Sequence, residues 1–334
     1  MDKTNFSSKG DNLLAQAEKK LKGGFWKNLT TSKSDRMDEA KDLYQQAANC
    51  YKLAQKWEEA VACYIRCVEC EQEEGDTAQY YLEAAHCMKK INTNKFLEYS
   101  EKAIHAYCMG SRISSAASLA KECAEKLDED HDYEEAIKYY EKVAELYLTD
   151  EQPTNANQAL VKVGDLIVLT RDYSQLVKAI KNYEKVAQKY LNTPLIKTNA
   201  KDLFFKAALC YFANDDLVGA KRAIQNYRID DPNFDGSREE ELLCDIITAV
   251  ESQDQPLFTK KVSQFTKMTP FDKVKNQLMV KIKEIYLPEA NSIGGVINSL
   301  NKLDFTGGES NQAKSKKQDK EEVEFKPKSG LDFT

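Results

Sequence analysis

A twelve-residue segment that occurs twice restricts the fold more than any other feature of the chain. Residues 40–51 read AKDLYQQAANCY and residues 200–211 read AKDLFFKAALCY, so eight of twelve positions are identical. A third segment, Tyr81–Cys87, keeps an aromatic residue, an alanine pair and a cysteine, and a weaker fourth keeps Ala120 and Cys123. This recurrence is typical of one helix that returns in each unit of a repeat protein.

A second recurring helix carries an alanine followed four residues later by a tyrosine. The occurrences are Ala60/Tyr64, Ala103/Tyr107, Ala136/Tyr140, Ala179/Tyr183 and Ala223/Tyr227. They are 43, 33, 43 and 44 residues apart, a spacing mostly longer than the ~34 residues of a standard tetratricopeptide repeat. The alanine lets a paired helix approach closely, and the tyrosine fills the space toward the next unit. We therefore predict an all-α, tetratricopeptide-like, right-handed solenoid of helical hairpins.

The repeat pattern stops after Asp235, but helical amphipathic spacing continues. It occupies residues 238–250, 257–266 and 271–287, with Pro256 and Pro270 between them. Beyond these helices the apolar periodicity fades and opposite charges balance, as in segments that stay unfolded. The predicted parts are a solenoid at 1–234 that carries an N-terminal membrane-contacting loop, a C-terminal helical bundle at 235–288, and a flexible tail at 289–334.

Nine cysteines raise the question of a metal site. Cys63, Cys67 and Cys70 have the spacing of an iron–sulfur motif, but they lie at i, i+4 and i+7 of the predicted helix that holds Ala60 and Tyr64. We interpret them as small buried core residues. Further cysteines share one position of successive first helices, where a leucine replaces them once: Cys50, Cys87, Cys123, Leu166 and Cys210. No metal is expected, and free thiols fit a reducing compartment.

One acidic run resembles the start of a calcium loop. The run Asp128–Asp132 is followed by Tyr133 where that loop requires glycine and by Tyr139 where it requires glutamate. We therefore predict that it caps the next helix. Three scattered histidines and the lack of a phosphate-binding glycine loop favour a protein that is not an enzyme. No catalytic residue, cofactor, nucleic acid or small-molecule substrate is expected.

The N-terminal segment suits contact with a membrane surface. Residues 1–36 carry eight Lys and Arg against four Asp and Glu, and Phe25 and Trp26, with Leu29 nearby, follow two glycines. Two adjacent large aromatic residues cannot both face one core stripe, so a membrane-touching loop is predicted; the alternative is that they pack onto the solenoid. The longest aliphatic run, 166–169, is far too short to span a bilayer. We expect a cytoplasmic protein that associates peripherally with membranes.

The most specific segments resemble one known family. Residues 200–211, the preceding Thr193–Lys197 and the opening Ala17–Lys22 are similar to the soluble NSF attachment proteins, adaptors that load the NSF ATPase onto SNARE bundles. The resemblance covers about residues 11–287. It implies a twisted sheet of helical hairpins with a basic face that grips the acidic SNARE four-helix bundle, and a C-terminal end that contacts NSF.

The resemblance also implies roles for individual residues. The SNARE-binding positions it implies are Arg112, Lys162, Lys201 and Arg238, and the NSF-contacting positions are Asp216 and Glu251. Two positions depart from the alpha branch: Ser118 replaces a lysine and Thr248 replaces a glutamate. That branch also ends in an acidic segment with a penultimate leucine, whereas here the sequence LDFT occurs at 303–306 and again at 331–334. These two copies could supply an equivalent NSF contact, or the tail could be inert.

A second function remains open from the sequence. A tetratricopeptide co-chaperone or peptide-binding scaffold clamps short peptide tails in its groove, and the lysines of the first helices would suit such a role. Those clamps usually use about three standard units. At least five longer units followed by a bundle favour the SNARE–NSF adaptor.

Overall fold

A computed structural model describes residues 3–22 and 32–288 of the chain, and these ranges contain fourteen α-helices and no strand. The helices are α1 (Lys3–Lys22), α2 (Lys33–Leu53), α3 (Trp57–Cys70), α4 (Ala78–Met88), α5 (Thr93–Met109), α6 (Ile113–Glu129), α7 (Tyr133–Thr149), α8 (Pro153–Leu169), α9 (Leu176–Leu191), α10 (Ala200–Ala213), α11 (Leu217–Asp230), α12 (Arg238–Ser252), α13 (Gln255–Thr266) and α14 (Lys273–Tyr286). All belong to one compact unit, Met1–Leu287. The predicted all-α fold is confirmed.

The helices pack as hairpins in chain order, because each contacts the helix that precedes it and the helix that follows it throughout α1 to α11. We call α2, α4, α6, α8, α10 and α12 the A helices, and α3, α5, α7, α9, α11 and α13 the B helices. The repeated AKDL segments begin inside α2 and at the start of α10, and the alanine–tyrosine pairs lie on five successive B helices. The predicted two-helix unit is therefore confirmed.

The recurring residues of both helix types form the core. Every alanine and tyrosine of the five pairs is buried, at 5 % exposure or less. The shared cysteine position of the A helices is buried as well, including Leu166 where the cysteine is replaced. Cysteine and leucine interchange there because both present an apolar surface to the neighbouring unit.

The turns between helices repeat one backbone conformation. A residue with φ between +54° and +62° stands in seven of the turns: Gln55, Ser111, His131, Glu151, Arg171, Asp215 and Gln253. In the turn at Glu151, the amide of Gln152 donates to the Tyr147 carbonyl at 2.8 Å, and the amide of Glu151 donates to the Leu148 carbonyl at 3.2 Å. This pattern is the Schellman helix end, where glycine is the usual left-handed residue. Here none of the seven residues is glycine.

The acidic run at 128–132 caps a helix as predicted. Asp132 stands at the N-cap of α7, and its carboxylate accepts the amide hydrogen of Glu135 at 3.4 Å. His131 occupies the left-handed position of the same turn. The run therefore holds both the left-handed residue that follows the end of α6 and the N-cap residue of α7.

The C-terminal helices continue the core of the repeats. Phe205 of α10 stacks against Phe265 with ring centroids 5.8 Å apart, and lies 6.2 Å from the ring of Phe271. One cluster of buried residues extends from Ala78 to Leu287. Contacts thus cross residues 234 and 235, the predicted boundary between solenoid and bundle, and that division stays a prediction. Pro256 lies in the first turn of α13, where its missing amide hydrogen needs no partner.

Part of the predicted organisation falls outside the residues that the structure describes. This applies to Phe25, Trp26 and Leu29 of the membrane-contacting loop and to the tail at 289–334, which holds both LDFT copies. Among the helices of 3–22 and 32–288, none combines the length and the apolar character needed to cross a membrane.

Candidate protein-binding surface

The four predicted SNARE-binding cations lie on four successive A helices. Arg112 is the N-cap residue of α6, and Lys162 lies within α8. Lys201 is the second residue of α10, and Arg238 is the first residue of α12. The structure therefore places these residues on one series of equivalent helices.

Two of these cations also contact the residues around them. The Arg112 guanidinium donates to the Gly75 carbonyl and lies 4.9 Å from the ring centroid of Tyr107. Arg238 donates to the Thr269 hydroxyl at 3.1 Å. A substitution of either arginine therefore removes packing as well as charge.

The two lysines form ion pairs between neighbouring A helices. The ammonium of Lys162 is 3.5 Å from Asp128 of α6, and that of Lys201 is 3.0 Å from Glu239 of α12. The Lys162 side chain remains 51 % exposed. A pair with so exposed a lysine contributes only ~0–1 kcal/mol, so a binding partner can replace the Lys162–Asp128 pair at little cost.

An ion pair joins each A helix to the next from α2 to α12. The pairs are Lys52–Glu83 at 2.5 Å, Lys89–Glu122 at 2.8 Å, Lys162–Asp128 at 3.5 Å, Lys206–Asp165 at 2.8 Å and Lys201–Glu239 at 3.0 Å. Each pair bridges two repeats, so it favours one relative position of the neighbouring units. We call this row the A-helix ladder.

One rung of the A-helix ladder is buried and extends to the C-terminal helix. Lys206 is only 6 % exposed, and its ammonium lies 2.8 Å from Asp165 and 3.9 Å from Asp272 at the N-cap of α14. The Tyr183 hydroxyl donates to the same Asp165 oxygen at 2.7 Å. Burial lowers the pKa of Lys206, but Asp165, Asp272 and Asp202 together outweigh burial and raise it. Lys206 therefore stays charged inside the core.

An open recess with a volume of about 190 Å³ lies between two A helices. Its lining comprises Lys121, Glu125, Tyr140, Val143, Tyr147, Asn155, Gln158, Ala159 and Lys162. Lys121 and Glu125 belong to α6, the tyrosines to α7, and Lys162 to α8. One of the predicted SNARE-binding residues thus borders a recess in the surface.

The two predicted NSF-contacting residues lie on neighbouring elements near the end of the repeats. Asp216 is the N-cap residue of α11 and accepts the Gly219 amide hydrogen at 2.7 Å. Glu251 lies near the end of α12 and pairs with Lys221 of α11. Burial together with Asp215 and Asp216 raises the pKa of Tyr286 in α14. Acidic side chains from the N-terminal end of α11 and from α12 therefore lie at this end of the repeats.

The cysteine triplet faces the core. Cys63, Cys67 and Cys70 are buried on α3, and Cys63 packs in a different apolar cluster from the other two. Burial raises the pKa of the Cys63 thiol to about 12 and also raises that of Cys67. Buried thiols of this kind are poor metal ligands, because metals bind the thiolate. Across the described residues no group of three His, Cys, Asp or Glu is placed to hold a metal ion.

A comparison with protein-family models gives a match over almost the whole compact unit. The model described as "Soluble NSF attachment protein, SNAP" matches residues 8–286. The chain belongs to this family. The match confirms the resemblance seen in the repeated segments, and it does not favour the co-chaperone alternative.

Individual relatives of this SNAP-family chain align over nearly their full length. The "Alpha-soluble NSF attachment protein" of Vitis vinifera is 34 % identical over 279 residues, which is 83 % of this chain and 93 % of the relative. The human protein of the same name is 32 % identical over 290 residues, which is 85 % of this chain and 97 % of the relative. The Saccharomyces cerevisiae protein is 32 % identical over 279 residues, covering 81 % and 94 %.

Sequence reasoning missed two groups at this surface. Lys206 is the only charged residue between Asp202 and Asp215, and it replaces Gln46 of the first repeated segment. This isolated charge in an otherwise uncharged stretch is the feature of the sequence that could have identified it. Lys121 gave no such signal. Its place beside Lys162 depends on how α6 and α8 pack, which spacing along the chain does not determine.

Proposed function

We propose that this SNAP-family chain is an adaptor that binds SNARE four-helix bundles and recruits the NSF ATPase to disassemble them in vesicle fusion and intracellular protein transport. The observation that carries this proposal is the family match over residues 8–286, which includes every helix from α2 to α14 and most of α1. The relatives' printed names refer to NSF attachment.

The arrangement of the A helices supports the SNARE side of the proposal. Arg112, Lys162, Lys201 and Arg238 place one cation on each of four consecutive A helices. A long acidic bundle can therefore meet positive charge across several repeats. Each exposed contact is weak, at ~0–1 kcal/mol, so useful affinity comes from many contacts and from several adaptors on one bundle.

The recruitment of NSF tests the proposal directly. An assembled SNARE complex is immobilised, and the retained NSF is measured with and without the full chain. We expect retention of NSF only when the chain is present. A chain that neither binds the complex nor retains NSF would contradict the proposal.

Two matched variants test the role of the A helices. Lys162→Glu removes an inter-repeat ion pair with Asp128 and reverses a charge on an A helix. Lys178→Glu removes the equivalent kind of pair, with Glu141, on B helices. We expect only Lys162→Glu to weaken binding of the SNARE complex. Equal effects of the two variants would show that the inter-repeat pairs matter for stability and that the A helices are not the binding surface.

The membrane part of the proposal concerns Phe25, Trp26 and Leu29. Aromatic side chains beside lysines favour the interface of an anionic bilayer. We expect Phe25→Ser with Trp26→Ser to slow disassembly of liposome-anchored SNARE complexes and to leave detergent-dissolved complexes unaffected. Equal rates on both substrates together with a lower melting temperature would instead support packing of these residues onto the solenoid.

A further inference from the structure

Exposed apolar side chains concentrate at the two edges of the repeats. Consecutive helices pack side by side and are joined by short connections, so the connections that follow A helices lie at one edge and those that follow B helices lie at the other. We call these the A-to-B edge and the B-to-A edge. Of the eleven large apolar residues that are exposed within residues 3–22 and 32–288, four lie at the A-to-B edge and five at the B-to-A edge. The four are Leu53, Ile91, Val177 and Val218, and the five are Met109, Leu148, Leu195, Ile229 and Met268. Single exposed apolar residues are ordinary, whereas their concentration along two edges indicates a contact.

The first units carry opposite charges at these two edges. Residues 71–76, at the B-to-A edge, read EQEEGD and so hold four carboxylates and no cation. At the A-to-B edge, the connections at 54–56 and 89–92 hold three lysines and no carboxylate. Lys90 and Glu73 are exposed, and neither forms an ion pair with another described residue. Each edge therefore offers a charge that a partner can neutralise.

An open recess with a volume of about 600 Å³ lies at the acidic edge. Four carboxylates and two largely apolar side chains line it: Glu71, Glu73, Glu74, Glu101, Val68 and Tyr81. The lysine of its lining, Lys102, is already paired with Glu98 at 2.7 Å. The recess therefore suits a basic side chain that stands next to an apolar one. Lys90 and Ile91 are such a pair, and Ile91 is 51 % exposed.

The proposed function brings the two kinds of edge face to face. Several copies that surround one SNARE bundle turn their A helices inward, so the A-to-B edge of each copy lies beside the B-to-A edge of its neighbour. Copies related by rotation about the bundle lie at the same height, so the basic connections of the first units face the acidic recess of the same units. A lipid surface would not account for opposite charges at the two edges, whereas a second copy does.

We infer that the A-to-B edge of one copy packs against the B-to-A edge of a second copy on the same SNARE bundle, with Lys90 and Ile91 seated in the acidic recess beside Glu73. The inference rests on the proposed function and adds to it a contact between adaptors. The contact is heterologous, because two different surfaces meet. It favours the binding of a further copy beside one that is already bound.

Charge reversal at either edge tests the contact. Lys90→Glu and Glu73→Lys each place like charges at it, and Lys185→Glu, an exposed lysine in the middle of α9, is the matched control. Binding to an assembled SNARE complex is measured with the complex in excess, where single copies bind, and with the chain in excess, where copies become neighbours. We expect either test variant to bind as a single copy like the wild type, but to add later copies about fivefold more weakly. The control should match the wild type in both conditions.

Charge exchange between copies identifies the occupant of the recess. An equimolar mixture of Lys90→Glu and Glu73→Lys restores opposite charges wherever unlike copies meet, and the double variant restores them at every contact. We expect both to recover the binding of later copies. A recess that binds NSF or another protein would not be repaired by this exchange, so failure of both to recover would overturn the inference.

Carbodiimide coupling, which joins a lysine to a carboxylate in contact with it, gives a second readout. We expect dimers of the full chain that are linked through Lys90, and only when the SNARE complex is present. If the wild type binds the complex as independent copies without such dimers, the contact is wrong and the adaptor function stands. If the wild type does not bind the complex at all, the adaptor function is wrong and the contact fails with it.

Discussion

Gly164 shows how a single residue sets the distance between two helices. A methyl group added at this position of α8 would lie 2.7 Å from the ring of Tyr183 in α9. Tyr183 cannot move aside easily, because it is fully buried and its hydroxyl donates to Asp165 at 2.7 Å. The glycine therefore allows the close approach for which the alanine of the repeat motif serves elsewhere.

We predict that Gly164→Ala destabilises the chain by about 1–3 kcal/mol, although alanine favours helix by ~1 kcal/mol over glycine. Urea unfolding followed by circular dichroism measures this difference. A double variant with Tyr183→Leu should lose less than the sum of the two single changes, because the smaller side chain relieves the clash. Additive losses, or a stabilised Gly164→Ala, would show that the contact is loose.

The buried Lys206 carries a second prediction at this scale. Its removal leaves Asp165 with one fewer partner and removes the link to Asp272 of α14. We expect Lys206→Met to cost about 3–5 kcal/mol of unfolding free energy, as for other broken buried pairs. Lys201→Met on the same helix breaks a more exposed pair and should cost no more than ~1 kcal/mol. Similar losses for both variants would be inconsistent with a special role for the buried rung.

The stability of the fold depends on pH through the carboxyl group of Glu240. Burial raises the pKa of this carboxyl, but hydrogen bonds from Arg228 and Cys244 outweigh burial and lower it below its ordinary value of 4.5. A lowered pKa stabilises the fold above pH 4.5, and this stabilisation is lost as the pH falls through the folded-state value. We expect the melting temperature of Glu240→Gln to fall less than that of the wild type as the pH drops below 4.5. Glu241→Gln, on the exposed face, should show the same fall as the wild type. An unaltered pH profile for Glu240→Gln would contradict this.

At the scale of elements, the tight turns carry avoidable strain. Glu151 lies exposed between α7 and α8 with φ at +56°, and a left-handed conformation costs a residue with a Cβ ~1–2 kcal/mol. We predict that Glu151→Gly stabilises the chain by about 1 kcal/mol, because glycine adopts this conformation freely. Glu145→Gly, on the exposed face of α7, should destabilise it by ~1 kcal/mol. Thermal melting of both variants measures the two signs, and two losses would refute the prediction.

The sequence predicts the helices better than the turns. The repeated alanines, tyrosines and cysteines locate both helices of each unit because burial demands small or apolar residues at fixed positions. The left-handed turns cannot be predicted in this way, because residues such as Gln55 and Arg171 occupy positions where glycine would indicate a left-handed turn. The amphipathic spacing predicts Pro256 between two helices, whereas the structure has it inside the first turn of α13, where proline fits equally well.

At the scale of the whole molecule, the candidate site is only partly visible in the sequence. The positions of Arg112, Lys162, Lys201 and Arg238 on successive A helices follow from the repeat register. The position of Lys121 and Lys162 at one recess does not follow from the register. It depends on the packing angle between repeats and on the tyrosines of the intervening B helix.

The C-terminal helices are joined to the repeats by polar contacts as well as by the core. Lys275 of α14 pairs with Asp202 of α10 at 2.5 Å, and Gln277 of α14 donates to the Tyr173 hydroxyl at 2.8 Å. Lys206 of the A-helix ladder also contacts Asp272 at the N-cap of α14, and Tyr286 of the same helix lies close enough to Asp215 and Asp216 for them to raise its pKa. Under the proposed function, the SNARE-binding and NSF-contacting residues therefore belong to one connected body.

The last prediction separates the two ends of that body. Asp216→Ser removes a charge but keeps a good N-cap for α11, and Glu251→Gln removes the charge that pairs with Lys221. We expect the double variant to bind the assembled SNARE complex as the wild type does and to retain several-fold less NSF. Lys162→Glu should lose both activities together, because NSF reaches the complex only through the bound adaptor. If the double variant retains NSF fully, or loses SNARE binding as well, the acidic end of α11 and α12 is not the NSF contact.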